Sequence, residues 1–156
     1  MIGGRADRNC QRYDVDNNKW EIAPRLPLSH NITTNVCVNF KNEAIFTFIV
    51  DAKLTIKSAV LDLSKSTYSE PGTENTAEMD WAFESTMETH GIDRLHIKSA
   101  VTQTDGKIAV VSRGRPKDLA MQISGLVLIF GVSKEEGKYK LTLDSVERIF
   151  PSIFCR

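Results

Sequence analysis

Long hydrophobic runs, an excess of either charge, and clustered cysteine or histidine are all missing from this sequence, and each absence removes a class of function. The longest apolar run covers residues 44–50 and is broken by Thr47, far short of the roughly 20 residues that carry a helix across a bilayer. There are 20 basic and 20 acidic residues, for a formal net charge of +0. No overall field therefore draws the chain to nucleic acid or to an anionic membrane, and neither is expected as a partner. Met1 is followed by Ile2, two glycines and then Arg5, Asp7 and Arg8. That start holds no apolar signal-peptide core, so a cytoplasmic location is expected.

Residues that carry chemistry are equally sparse. Cys10, Cys37 and Cys155 lie far apart without a CxxC pair, which argues against a disulfide framework. Cys37 sits in an apolar run and is expected as a small buried side chain. Among the three histidines, His90 and His96 are six positions apart. That is not the helical i, i+4 spacing of a ligand pair, and no carboxylate–cysteine cluster completes a metal site. No Gly-x-Ser-x-Gly elbow, phosphate loop or dinucleotide fingerprint is present. Ser112-Arg113-Gly114-Arg115-Pro116 is basic and turn-like, but lacks the glycine spacing and Gly-Lys-Ser/Thr ending of a phosphate loop. No metal, no cofactor and no catalytic residue is expected.

What the 156 residues do contain is ordinary globular composition, 41% apolar and 26% charged, suited to one domain with a real core. β-branched and aromatic residues alternate in short runs bounded by turn signals. Residues 35–40 and 44–49 read as a hairpin about a turn at 41–43, with a third strand over 57–63. Residues 97–102 and 107–112 form a second hairpin about Thr104-Asp105-Gly106, since Asp-Gly is a strong turn signal. Residues 125–132 and 138–143 add two further strands. The spacing predicts an all-β protein.

Residues 70–94 interrupt this pattern. Pro71-Gly72 marks a turn, Asn75 and Glu78 resemble a capping box, and Gly91 could close a helix. Met79, Phe83 and Met87 recur every four residues, so one short helix is expected, with Glu74, Glu78, Asp80, Glu84 and Glu88 as its solvated face.

Self-similarity organises the rest. Tyr13-Asp14-Val15-Asp16-Asn17-Asn18-Lys19-Trp20 aligns without a gap on Leu61-Asp62-Leu63-Ser64-Lys65-Ser66-Thr67-Tyr68, an offset of 48 positions. A third copy runs from Phe130 to Tyr139, with two extra residues placed in its turn. Each copy reads as a hairpin with an aromatic opening its second strand, whose ring packs on a neighbouring sheet. An ordinary β-sandwich hairpin would also fit this pattern.

With Gly3-Gly4 ahead of Tyr13 and Trp20, and Leu26-Pro27 after them, the first copy resembles a Kelch repeat, whose period is about 50 residues. The later copies are degenerate: Val50-Asp51-Ala52 replaces the glycines of the second, and Gly114 alone remains in the third. The resemblance implies Kelch-type β-propeller blades in an incomplete or open ring, with the helix as an insertion. The chain divides into a blade remnant at 1–27, a blade at 28–69, the insertion at 70–94 and a blade at 95–156. It opens at the end of a second strand, which makes about two and a half blades, where propellers close with roughly four to eight. Another chain could supply the missing part, or a larger gene the missing blades, or the sheets could stack openly. Self-association through open blade edges is expected, because each repeat needs neighbours to cover it.

The resemblance also implies a non-catalytic interaction module that binds through the loops at residues 4–12, 50–56 and 113–119. Two of these are basic. Arg5, Arg8 and Arg12 in the first, with Arg113, Arg115 and Lys117 in the last, are candidate binding residues for a protein or acidic peptide, because arginine forks suit carboxylates. The alternative is a fragment of a propeller enzyme acting on a sugar-like substrate.

Overall fold

The structure, a computed structural model, describes residues 9–27, 32–51, 55–86, 92–116 and 124–149. It is all-β. Sheet 1 is the hairpin of β1 (Cys10–Asp14) and β2 (Lys19–Ala23). Sheet 2 is an antiparallel meander of β3 (Ile32–Phe40), β4 (Ala44–Asp51), β5 (Thr55–Asp62) and β6 (Asp80–Thr86). Sheet 3 repeats the meander with β7 (Ile92–Thr102), β8 (Ile108–Pro116), β9 (Ser124–Glu135) and β10 (Lys138–Ile149). Among the described residues the three sheets form an open stack rather than a closed barrel or ring.

Sheet 2 lies in the middle because its strands are apolar on both faces. Along β4, Ala44, Phe46, Phe48 and Val50 are fully buried against Leu95, Ile97, Ile108, Val110, Leu128 and Phe130 of sheet 3. Their alternates face the other way, where Ile49 meets Ala59, Leu61, Cys10, Ala23 and Leu26. A period of two that is apolar at both phases is what a doubly covered strand requires. Aromatic edges lock the larger interface: Phe46 sits 5.8 Å from Phe40 and 5.7 Å from Tyr139, both in near-perpendicular arrangements. Phe130 contacts Phe48 at 5.1 Å and Phe83 at 5.2 Å.

The expected helix is not seen among the described residues. Among the described residues, 70–86 contain a loop and then β6, which supplies the fourth strand of sheet 2. The middle four-stranded unit therefore extends well past residue 69, and Tyr68 lies in the connection rather than at the start of a strand. Asn75 does not cap a helix. Its Oδ1 accepts from Ala77 N at 3.0 Å, while its Nδ2 donates to Ile22 O at 3.1 Å and Thr67 O at 3.0 Å. The loop so ordered runs beside β2: Ile22 and Ser69 exchange backbone hydrogen bonds of 2.8 and 3.0 Å, and Arg25 bonds to Ala77 and Met79. The segment read as an insertion thus staples sheet 1 to sheet 2. Glu88 and Gly91 lie outside the described residues.

Two smaller expectations are also corrected. Cys37 is exposed, not buried. It shares one face of β3 with the exposed Asn35 and Asn39, whereas Val38 and Phe40 point into the core. The two strands of sheet 1 cover β4 and β5 on that side and leave β3 to solvent. In the third repeat copy, the extra residues lengthen the strands instead of the turn. Glu135 pairs with Lys138 across the two-residue turn Glu136-Gly137, whose φ values of 49° and 74° fit a type I′ reversal.

At the turn end, side chains clamp sheets 2 and 3. Asp62 Oδ1 accepts from Ser64 N at 3.0 Å, and its Oδ2 meets Lys134 Nζ at 3.1 Å. Lys65 donates to Gly137 O, Thr102 Oγ1 to Asn39 O at 2.7 Å, and Tyr139 OH to Glu43 Oε2 at 3.1 Å. Burial pushes the Asp62 carboxyl upward, but the bonds from Ser64 and Lys134 prevail and hold it below the ordinary aspartate value. A depressed native pKa means a stabilising contribution that is complete above the unfolded value of about 3.9 and is lost as pH falls through the native one. Asp62→Asn is therefore expected to melt earlier than the parent at neutral pH. The two melting temperatures should converge as the pH falls below the ordinary aspartate value and through the depressed native one. Thermal melts across that range check this, and a constant gap would contradict it.

Candidate functional site

Hairpin register decides where the candidate arginines point. In sheet 1, Cys10, Arg12 and Asp14 pair with Ala23, Glu21 and Lys19, and this face meets sheet 2. The alternate pairs, Gln11 with Ile22 and Tyr13 with Trp20, face away. Arg12 therefore lies on the face toward sheet 2, with its side chain 46% exposed at the edge. Its Nε donates to Glu21 Oε2 at 2.6 Å, and its guanidinium stacks 3.5 Å from the centroid of the Tyr68 ring. Glu21, which also meets Lys19 at 3.3 Å, is held below the ordinary glutamate value, chiefly by the bond from Arg12. Arg12 clamps the first two sheets through Glu21 and Tyr68 while about half of its side chain stays exposed.

Arg113 has the opposite setting. It lies inside β8, between His96 on β7 and Gly125 on β9, on the face of sheet 3 turned away from sheet 2. The side chain is exposed, and among the described residues no carboxylate pairs with it. Gly125 across from it has no side chain to share the space. Arg115, two positions on, lies opposite Asp93 in the backbone register. Both arginines are strand residues leading into the β8–β9 connection, rather than loop residues as expected. Arg5, Arg8 and Lys117 lie outside the described residues. The structure does not bring Arg12 and Arg113 together, because sheets 2 and 3 stand between the faces they occupy.

The glycine expectation changes in the same place. Gly114 is buried within β8, opposite Ser124, and is not among the glycines with positive φ. What had looked like a turn signal is part of the ladder.

The repeat aspartates have a local role that the motif did not announce. Asp14 Oδ1 accepts from Asp16 N and Asn17 N, both at 3.1 Å, and Asp62 serves Ser64 in the same way. Each carboxylate orders its own turn. Gly131 takes this position in the third copy, and a carbon added there would lie 3.0 Å from Asp144 Oδ1. Asp144 is in turn bound to Lys107 at 2.9 Å.

Among the described residues no group of three His, Cys, Asp or Glu is placed to hold a metal ion, and no helix is long and apolar enough to cross a membrane. Neither family models, nor curated proteins, nor solved structures match the chain.

Proposed function

We propose that the chain is part of a Kelch-type β-propeller and serves as a non-catalytic module that binds an acidic protein segment. The blade reading is supported by one geometric regularity. Tyr13, Leu61 and Phe130, equivalent in the three repeat copies, all face the same direction along the stack: Tyr13 away from sheet 2, Leu61 toward sheet 1, Phe130 toward sheet 2. Trp20, Tyr68 and Tyr139 follow the same rule. A repeated unit that always offers its aromatic to the preceding unit is how solenoids and propellers bury their faces. In this reading sheets 2 and 3 are complete blades and sheet 1 is the outer half of another.

The binding surface is the end of sheet 3 around Arg113, where β8 leads into the β8–β9 connection, because an exposed guanidinium with no carboxylate paired to it among the described residues can take one from a partner. A charge-assisted hydrogen bond contributes about 1.5–3 kcal/mol when it is made away from water. Arg113→Ala is therefore expected to weaken binding of a fluorescent Glu/Asp-rich peptide by about tenfold or more. Arg12→Ala should lower the melting temperature and leave that affinity unchanged. Equal binding by the parent and Arg113→Ala in a titration at low salt would overturn the proposal.

A further inference from the structure

Trp20 and Tyr139 hold equivalent places, each following a lysine at the start of the last strand of its hairpin, and both look toward the preceding side of the stack. Their surroundings differ sharply. Tyr139 is 4% exposed, with Phe40 at 6.4 Å and Phe46 at 5.7 Å, both supplied by sheet 2. Trp20 is 47% exposed and Tyr13 is 44% exposed, their rings 5.2 Å apart on the outward face of sheet 1. Tyr13 satisfies its hydroxyl on Asn18, so the pair presents an ordered apolar surface rather than a loose one. The molecule thus contains its own template for the cover of such a pair: the apolar face of an antiparallel sheet.

The far side of sheet 3 offers a face of that kind. Val101, Ala109 and Ile129 form one row across β7, β8 and β9, and Val111 and Val127 lie in the next. Val101 is 55% exposed, Val111, Val127 and Ile129 are half-buried, and Ala109, between the larger Val101 and Ile129, is 6% exposed. These side chains are small, whereas the opposing face carries two large rings, and such size complementarity favours close packing. Within the chain every interface joins the later face of one sheet to the earlier face of the next. Among the described residues, the two faces with no sheet against them are one of each.

From this we infer that a second copy of the chain covers the Tyr13–Trp20 face with its Val101–Ala109–Ile129 face, so that chains join head to tail. The inference rests on the blade reading above. Such an interface is heterologous: it can close into a ring if the rotation permits, and it leaves each terminal copy with one open face.

Sedimentation velocity of the parent and of two singly blocked variants, Trp20→Asp and Val101→Asp, tests it. The parent should associate increasingly with concentration, and each variant alone should associate about tenfold more weakly or remain monomeric. Mixing the two variants should restore a dimer, because each keeps the face the other has lost. A parent that stays monomeric, a mixture that stays monomeric, or a Val101→Asp variant that pairs as well as the parent would overturn the proposal. If either aspartate variant melts early, Trp20→Gln and Val101→Thr replace them in the same mixing experiment. Failure of the blade reading is distinguishable, since it would appear as a missing Tyr139–Phe46 contact within the monomeric variant itself.

Discussion

Phe46→Ala is expected to cost about 3–5 kcal/mol of folding stability, measured by chemical denaturation. Phe46 is fully buried and lies between Phe40 on its own sheet and Tyr139 on the next. Removing it leaves a cavity in the interface that joins sheets 2 and 3, and both rings lose an edge contact worth about 0.5–1.5 kcal/mol each beyond the lost area. A domain of this kind has about 5–15 kcal/mol in total, so the variant should sit close to its unfolding threshold at ambient temperature. A cost below about 1 kcal/mol, typical of surface sites, would show that this interface is not packed as described.

The second large effect is local. Asn75→Ala should lose about 1–3 kcal/mol, because Ala77 N and Thr67 O give up a buried partner and the loop beside β2 is no longer ordered. The loss should be felt first in the staple. Amide hydrogen exchange at Ile22, Arg25, Ser69 and Met79 is expected to quicken while amides of β4 and β8 keep their protection, since sheet 1 can detach without opening the larger core. Uniform loss of protection across all three sheets would mean that the hairpin and the core unfold as one unit.

Hairpins were legible in the sequence wherever a short turn separated two alternating runs. β3 with β4, β7 with β8 and β9 with β10 fall where the patterns place them, and Tyr13 does pair with Trp20. β6 was hidden by a bulge. The register slips between Ser58 and Ala59, so Ala82 and Phe83 both reach the same core although they are adjacent, and Trp81 is left 39% exposed. Period two disappears from Asp80–Thr86, and the chance spacing of Met79, Phe83 and Met87 then resembles a helix. Asn75 misled for a related reason: its side-chain bonds go to a strand far away in sequence, which no local motif reveals. The candidate site shows the same limit. Charge identified the arginines, but only the register of β1 and β2 shows that Arg12 lies opposite Glu21, and only tertiary packing puts Tyr68 beneath it. Arg113 is distinguished by the company it lacks among the described residues, a property of the folded surface and not of the motif.

The central claim is the order and sense of the stack, with sheet 2 between the other two, Tyr68 and Tyr139 turned toward the preceding sheet, and Trp20 turned away from sheet 2. Nuclear Overhauser contacts in the Val101→Asp variant, kept at low concentration, test it most directly. Tyr139 ring protons should contact Phe40 and Phe46, Leu61 and Met79 should contact Leu26 and Ala23, and Trp20 should show intramolecular contacts to Tyr13 without any to sheet 3. Contacts from Trp20 to Phe130 or Leu141, or the absence of contacts between Tyr139 and Phe46, would contradict the arrangement.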